Sequence, residues 1–464
     1  MKNGFARSAG FVLLCAVLAA QPQAPAADRA LARNILEELI EIPTTQADGT
    51  AQAAQAISAR LLAAGFPKDD VRIITTDGNV ANVVARLRGR NPRARGVLLM
   101  AHIDVVPARR EDWSVDPWTF LERDGWFYGR GTSDNKAGAA MLVANVITLK
   151  RAGWQPARDL IVVLTGDEET AQRGIQTLAG KHRDLIDADL AFNTDGGGVI
   201  LKEGRHSVFE VQASEKIYAD YQLEVTDVGG HSSLARPDNP IYTLAAALTR
   251  IGAHQFPLHV NDVTRMFLER SASTQSGQTA IDMRAVAAVP PDEAAAARLS
   301  GSPFYNSQLR TTCVATKVDA GHANNALPQV ARAVINCRIL PGLPGADVEA
   351  VVRRLAGDRV TVTVLEAPIA SPPSVPTSAL LARIEPLAAK HWPGLPVIPA
   401  MQSGATDGMY TRNAGIPTYG ISALDSNPDD ERAHGKDERV GVEAFFKATQ
   451  FWLELMRAFG DDAQ

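Results

Sequence analysis

Cysteine is scarce in this chain, three in 464 residues, too few for a disulfide-stapled scaffold. No charge sign dominates either. The net charge of −5 gives no reason to expect nucleic acid or an anionic membrane as a partner. The basic run at 86–95 is broken by Gly89 and Pro92 and reads as a solvated loop between strands. Long apolar runs are missing: the stretch 11–20 is too short to span a bilayer comfortably, and internal repeats are absent.

That short apolar stretch follows Lys2 and Arg7 and precedes the small-residue segment 21–27, the pattern of a signal peptide. Cleavage is expected near Ala27, with Ala20 as second choice, and bulky Leu14 before Cys15 argues against lipid attachment. The mature chain is expected to be exported, periplasmic or secreted, with no stable membrane insertion. Export makes a bond between Cys313 and Cys337 chemically possible; two buried free thiols fit equally well.

What is present is an ordinary globular composition, 45% hydrophobic and 21% charged, long enough for two or three domains. Apolar residues recur at helical spacing through Leu31, Ile35 and Leu39 and through Ile57, Leu61 and Leu62. Continuous apolar runs at 97–101, 160–165 and 190–194 read as buried parallel strands, and 136–152 between them as a helix. The fold class predicted is α/β, a domain with a mostly parallel sheet. From about residue 214 the pattern changes to strand 218–226, helix 240–251, strands 309–318 and 331–340, helix 347–355 and strand 360–365. That order predicts an inserted ferredoxin-like α+β lid over 214–367. The proline-rich 368–376 looks like the return linker, and the α/β domain occupies 28–213 and 368–464. The stretch 254–307 has no readable role.

Chemistry-bearing residues cluster at the expected strand ends. His102 and Asp104 close the first buried strand, and residues two apart on a strand share a face, so Asp104 can accept the other ring N–H of His102. Asp134 sits in a glycine-containing turn opening a helix. Asp167-Glu168-Glu169 follows the second strand, Asp195 the third, and His434 stands far downstream before a glycine. Three carboxylates in succession repel one another unless cations neutralise them. Two histidines and several carboxylates in this order supply ligands for two metal ions and leave one carboxylate spare, the basic requirement for metal-assisted hydrolysis.

With these motifs the chain resembles the co-catalytic zinc metallopeptidase family that includes carboxypeptidase S, aminoacylase, acetylornithine deacetylase and succinyl-diaminopimelate desuccinylase. The resemblance covers nearly all of the mature chain and implies that the α/β domain, 28–213 and 368–464, is catalytic and is interrupted by a lid. It implies that His102 and Asp195 hold one Zn2+, that Glu169 and His434 hold the other, and that Asp134 bridges both. It implies that Glu168 is the general base and that the peptide after Asp134 is cis. Co2+ or Mn2+ would suit the same ligands.

In the lid, the resemblance implies that His231 stabilises the oxyanion, often in the other subunit of a homodimer, and that Asn325 contacts substrate. It implies that Arg338 grips a substrate carboxylate, which a planar guanidinium can do bidentately. Gly404 and Thr406, in Ser403-Gly404-Ala405-Thr406-Asp407, match a pocket-lining loop with Ala405 inserted; Asp407 is expected to orient a neighbour. His322 is expected on the lid surface. The forms around His231, 238–242 and 310–312 are closest to the carboxypeptidase S branch. The activity implied is cleavage of an amide next to a residue with a free carboxylate, as a carboxypeptidase or dipeptidase. The alternative is an N-acyl-amino-acid amidohydrolase using the same site, and the remote alternative a non-catalytic periplasmic binding protein.

Overall fold

A computed structural model describes residues 26–461. The expected targeting segment lies outside the described residues except for Ala26 and Ala27, which open the first helix, Ala26–Glu41. Among the described residues no helix is long and apolar enough to cross a membrane.

The strand Gly96–His102 is buried along its whole length. Helices cover both faces of its sheet. Val97, Leu99 and Ala101 enter one core with Leu142 and Phe451, while Leu98 and Met100 enter another with Ile175 and Leu178. Two covered faces are why the run is continuously apolar rather than alternating. Truncating Leu99 to alanine would cost about 2–5 kcal/mol.

Gly96–His102 pairs in parallel with Leu160–Thr165 on one side and with Ala188–Asn193 on the other. Among the described residues the sheet has ten strands, with antiparallel pairs toward its flanks. The three central strands therefore deliver His102, the Asp167–Glu169 loop and Asp195 side by side at their C-terminal ends, where open α/β sheets place their sites.

The lid is a four-stranded antiparallel sheet in the order Thr312–Ala320, Val330–Ile339, Ile217–Thr226, Thr361–Glu366. Helices Pro240–Ala253 and Gly345–Ala356 pack on one face through Leu244, Ala247, Val348 and Val352. Strand, helix, two strands, helix, strand with this order is the ferredoxin-like arrangement. Cys313 lies opposite Cys337 in the ladder, and the two are disulfide-bonded.

The unread stretch between the lid helix and the next lid strand is helical. Helices Asp262–Ser271, Gly277–Ala287, Glu293–Leu299 and Pro303–Leu309 form a small core of their own. That core includes Ile398 and Ala400 of the strand Val397–Gln402, so the excursion packs on the large sheet although it interrupts the lid in sequence. Where the chain returns, Ser374 N–H donates to the Ala213 carbonyl at 2.7 Å, setting the two crossings side by side. Beside them buried Glu215 accepts from Arg412 at 2.6 Å and from Thr406 Oγ1 at 2.9 Å.

Candidate active site

His102 is 1% exposed, fixed by the strand that carries it. Its Nε2 lies 2.8 Å from Asp134 Oδ1 and 3.9 Å from Asp195 Oδ2. His434 Nε2 lies 3.1 Å from the other Asp134 oxygen and 3.0 Å from Glu169 Oε1. Two triads result, His102–Asp134–Asp195 and Asp134–Glu169–His434, each with its ligand atoms within 4.8 Å of one another. Asp134 belongs to both and offers one oxygen to each histidine.

The neighbouring acids are held by the backbone. Asp104 was expected to accept from the His102 ring. Its backbone carbonyl does so, 3.0 Å from Nδ1, with the carboxylate at 3.5 Å. The carboxylate oxygens instead accept the N–H groups of Glu168 at 3.1 Å and Glu169 at 3.0 Å, clamping that loop. Asp167 accepts from the N–H groups of Arg173 and Gly174 at 2.7 and 2.8 Å, capping the helix Arg173–Lys181. Glu168 is thereby left pointing elsewhere, with Gln172 Nε2 donating to its Oε1 at 3.1 Å.

The turn carrying Asp134 has an anchor that sequence reasoning missed. Glu438 is fully buried and accepts from Arg130 Nη1 at 2.6 Å, Gly131 N at 3.1 Å, Ser133 N at 2.8 Å, Ser133 Oγ at 2.9 Å and Asp134 N at 3.1 Å. In sequence it stands in His-Gly-Lys-Asp-Glu-Arg, which looks like a charged surface loop; only its spacing of four from His434 hints otherwise. The Asp134–Asn135 peptide is cis. Asn135 Oδ1 accepts from Thr194 Oγ1 at 2.7 Å, tying this turn to the Asp195 loop. That tie requires Gly138, since a Cβ there would lie 2.1 Å from Thr194 Oγ1. His434 itself holds φ of 61°, a left-handed conformation that side chains other than glycine adopt at a cost.

Packing this much charge together perturbs it. Burial pushes Glu168 well above the usual carboxylate range, and the negative Asp195 adds to this. Burial also raises Asp195, to about 7, against the attraction of His102 and with help from Asp134 and Glu169. Burial opposes the charge of Asp134, but hydrogen bonds from His102 and His434 hold it well below the usual range. Hydrogen bonds to Asp134 and Glu169 lift His434 to about 10. The Asp195 carboxylate accepts no hydrogen bond among the described residues; the backbone N–H groups that satisfy Asp104 and Asp167 have no counterpart here. A nitrogen-and-oxygen donor set with excess negative charge and a carboxylate that accepts no protein hydrogen bond fits divalent cations, zinc among them.

The remaining residues separate. Arg338 and Gly404 line the cavity of about 930 Å3 that contains Glu168, Glu169 and His434. Thr406 does not line it; its hydroxyl turns inward to Glu215. Asp407 is buried beside it, accepts from Thr165 Oγ1 at 2.5 Å and is raised well above the usual range by burial. His231 is exposed, with Nδ1 2.7 Å from Ser233 Oγ, and Asn325 is exposed with its carbonyl accepting from Ser232 N–H. Neither lines the catalytic cavity. His322 is exposed on the lid.

Residues 98–458 match the sequence pattern of Peptidase family M20/M25/M40. The human N-fatty-acyl-amino acid synthase/hydrolase PM20D1 is 29% identical over 388 residues, 82% of this chain and 77% of the relative. Among solved structures, the M20 family metallo-carboxypeptidase Sso-CP2 from Sulfolobus solfataricus superposes with a TM-score of 0.69 at 19% identity, covering 92% of this chain and 99% of that one. The Bacillus subtilis YXEP protein, described as a dinuclear metal binding peptidase, gives 0.60 at 15% identity, covering 94% and 99%. Together with two ligand triads at the ends of adjacent parallel strands, this match establishes that the chain belongs to peptidase family M20/M25/M40 and is a metallohydrolase of the carboxypeptidase, dipeptidase and aminoacylase type.

Proposed function

We propose that the chain is a di-zinc amidohydrolase that releases an amino acid with a free α-carboxylate from an acyl group. The observation that carries this reading is Arg338. Its guanidinium shares the cavity with Glu168, Glu169 and His434. It lies 4.6 Å from the centre of the Tyr218 ring and donates to the Ser403 carbonyl at 3.1 Å, and it makes no ion pair among the described residues. A half-buried cation that feels the charge of Asp220 but is ion-paired with no carboxylate, facing a hydrolytic site, suits a substrate carboxylate.

His102, Asp134 and Asp195 would hold one cation, and Asp134, Glu169 and His434 the second. When bound, the pair supplies Lewis acidity to the scissile carbonyl and to water. Glu168 takes a proton from water as the oxygen attacks the carbonyl carbon, and delivers it to the nitrogen as the C–N bond breaks. Asp104 keeps Glu168 in place through the loop backbone, and Gln172 orients its carboxylate.

Leu365, Ile369, Met409 and Tyr410 give the same cavity an apolar wall for the acyl half. With the printed activity of the human relative, this supports an N-acyl amino acid as substrate. A carboxypeptidase or dipeptidase is the second reading, supported by Asp220 and Glu366 in that wall, which could meet a peptide amino terminus. The test compares an N-acyl amino acid, its carboxamide and the matching dipeptide. The carboxamide should turn over about 10- to 100-fold more slowly, the worth of a charged hydrogen bond, and Arg338→Ala should erase that difference. Equal turnover of acid and carboxamide would sink the reading; faster turnover of the dipeptide would select the second one.

Two further expectations are carried as proposals. The chain is exported, a location in keeping with a disulfide in the lid; fractionation tests it. It is a homodimer through the lid, supported by the exposed Val314 and Val318 on the lid edge strand and by a His231 that the catalytic cavity of its own chain does not use. Light scattering showing a fully active monomer would exclude this.

A further inference from the structure

Gly404 lines the catalytic cavity and also an adjoining smaller one of about 240 Å3. The smaller cavity is walled by Phe267, Phe304, Ala400, Met401, Gln308 and Glu210. Ala400 and Met401 belong to the strand Val397–Gln402 that leads into the 403–407 loop. Phe267 and Phe304 come from helices Asp262–Ser271 and Pro303–Leu309 of the excursion that interrupts the lid. The two cavities meet at open space: a Cβ placed on Gly404 would touch nothing within 4 Å.

Ser403 joins this cavity to the carboxylate anchor. It lines the small cavity, and its carbonyl accepts from Arg338 Nη1 at 3.1 Å. A carboxylate held by Arg338 therefore sits next to the mouth. In an amino acid the carboxylate and the side chain branch from one carbon, so fixing the first sends the second into whatever space adjoins the anchor. The geometry points to the Phe267–Phe304 cavity as the pocket for the side chain of the released amino acid, and to aromatic or large aliphatic residues as what it takes. The inference rests on the proposed carboxylate at Arg338.

Size and lining agree. Sites for whole small molecules run to about 300–1,000 Å3, so a cavity of about 240 Å3 is of side-chain size. Two phenylalanines, a methionine and an alanine give the cavity an apolar, adaptable side, while Ser307, Gln308, Gln402, Ser403 and Glu210 line the rest of it. Glu210 is the one ionisable residue among those lining it, and burial pushes its carboxyl up to about 7. A carboxyl there disfavours aspartate or glutamate side chains. The helical excursion acquires a purpose on this reading, since it supplies Phe267, Phe304, Ser307 and Gln308 to the pocket.

The experiment uses the full chain with N-acetyl derivatives of phenylalanine, leucine, glycine, aspartate and lysine, plus N-octanoylphenylalanine to vary the acyl half. Wild type should prefer phenylalanine and leucine to glycine by about 10- to 100-fold in kcat/KM, the discrimination an apolar pocket can supply. Phe304→Asp, on an exposed position, should lower the phenylalanine-to-glycine ratio by about tenfold, chiefly through KM, while the octanoyl-to-acetyl ratio stays put. Glu210→Gln should raise the relative rate of the aspartate derivative. Glycine, aspartate or lysine derivatives turned over as fast as phenylalanine, or a Phe304→Asp effect confined to acyl length, would overturn the inference and leave the amidohydrolase reading standing. No turnover of any derivative would remove that reading and the inference with it.

Discussion

Replacing Glu438 by glutamine changes one atom of a residue that touches neither proposed cation, yet it should be among the most damaging substitutions in the chain. One carboxylate oxygen accepts from Arg130 and Gly131, the other from Ser133 N, Ser133 Oγ and Asp134 N. Glutamine keeps one acceptor and turns the other into a donor, so whichever way the amide lies a set of N–H or O–H donors faces another donor. It also leaves the Arg130 guanidinium, whose side chain is 3% exposed, without its anion. Breaking a buried pair by removing one partner costs about 3–5 kcal/mol. The loss falls on the turn that presents Asp134 to both histidines. The assay is the urea midpoint with metal content per chain, beside Glu443→Gln, which removes an exposed partner of Arg29 and should change the midpoint by less than about 1 kcal/mol. A Glu438→Gln protein with the wild-type midpoint and wild-type metal content would refute the anchoring role.

Glu168→Gln should lower kcat by roughly 10²- to 10⁴-fold, as loss of a general base does, while metal content stays at the wild-type level; lost metal would make Glu168 a ligand instead. Lys216 is buried, donates to the Arg310 carbonyl at 2.9 Å, and is lowered to about 7 by burial and by the nearby Arg338. Between about pH 7 and its unfolded value near 10.4 the unfolded chain binds a proton that the folded chain does not, so stability rises with pH across that window. Wild type should therefore gain on Lys216→Met in urea midpoint from pH 7 to 10, and a constant difference would contradict this. Replacing Cys313 and Cys337 by serine opens a loop with a sequence separation of 24 and should cost about 2–4 kcal/mol, seen as earlier proteolysis of the lid in limited digestion.

Much of this protein was legible before its structure. The apolar runs at 97–101, 160–165 and 190–194 state that three strands are covered on both faces, and right-handed parallel connections then put their C-terminal ends together. Any polar residue just past such a run is delivered to one edge, which is why His102, Glu168, Glu169 and Asp195 could be assembled without coordinates. The lid strands and helices were readable for the same reason, because period-2 and period-3.6 patterns are local.

What stayed hidden depends on contacts between residues far apart in the chain. Glu438 looks solvated until it meets the turn at 129–134 across more than three hundred residues. Thr406, expected to line the pocket, turns inward because Glu215 needs a donor. Asp104 spends its carboxylate on the loop of Glu168 and Glu169 rather than on the imidazole alone. Cys313 and Cys337 could be bonded or free until strand register set them opposite each other. The stretch holding the helices at 262–309 had no readable role, since an apolar residue reports that it is buried and not against what. Sequence by itself determined which residues must be inside and which donors lie at strand ends, because these follow from periodicity along the chain. Tertiary structure alone decided which carboxylates receive backbone N–H groups and which receive none, because hydrogen-bond partners are settled by distances that no local pattern encodes.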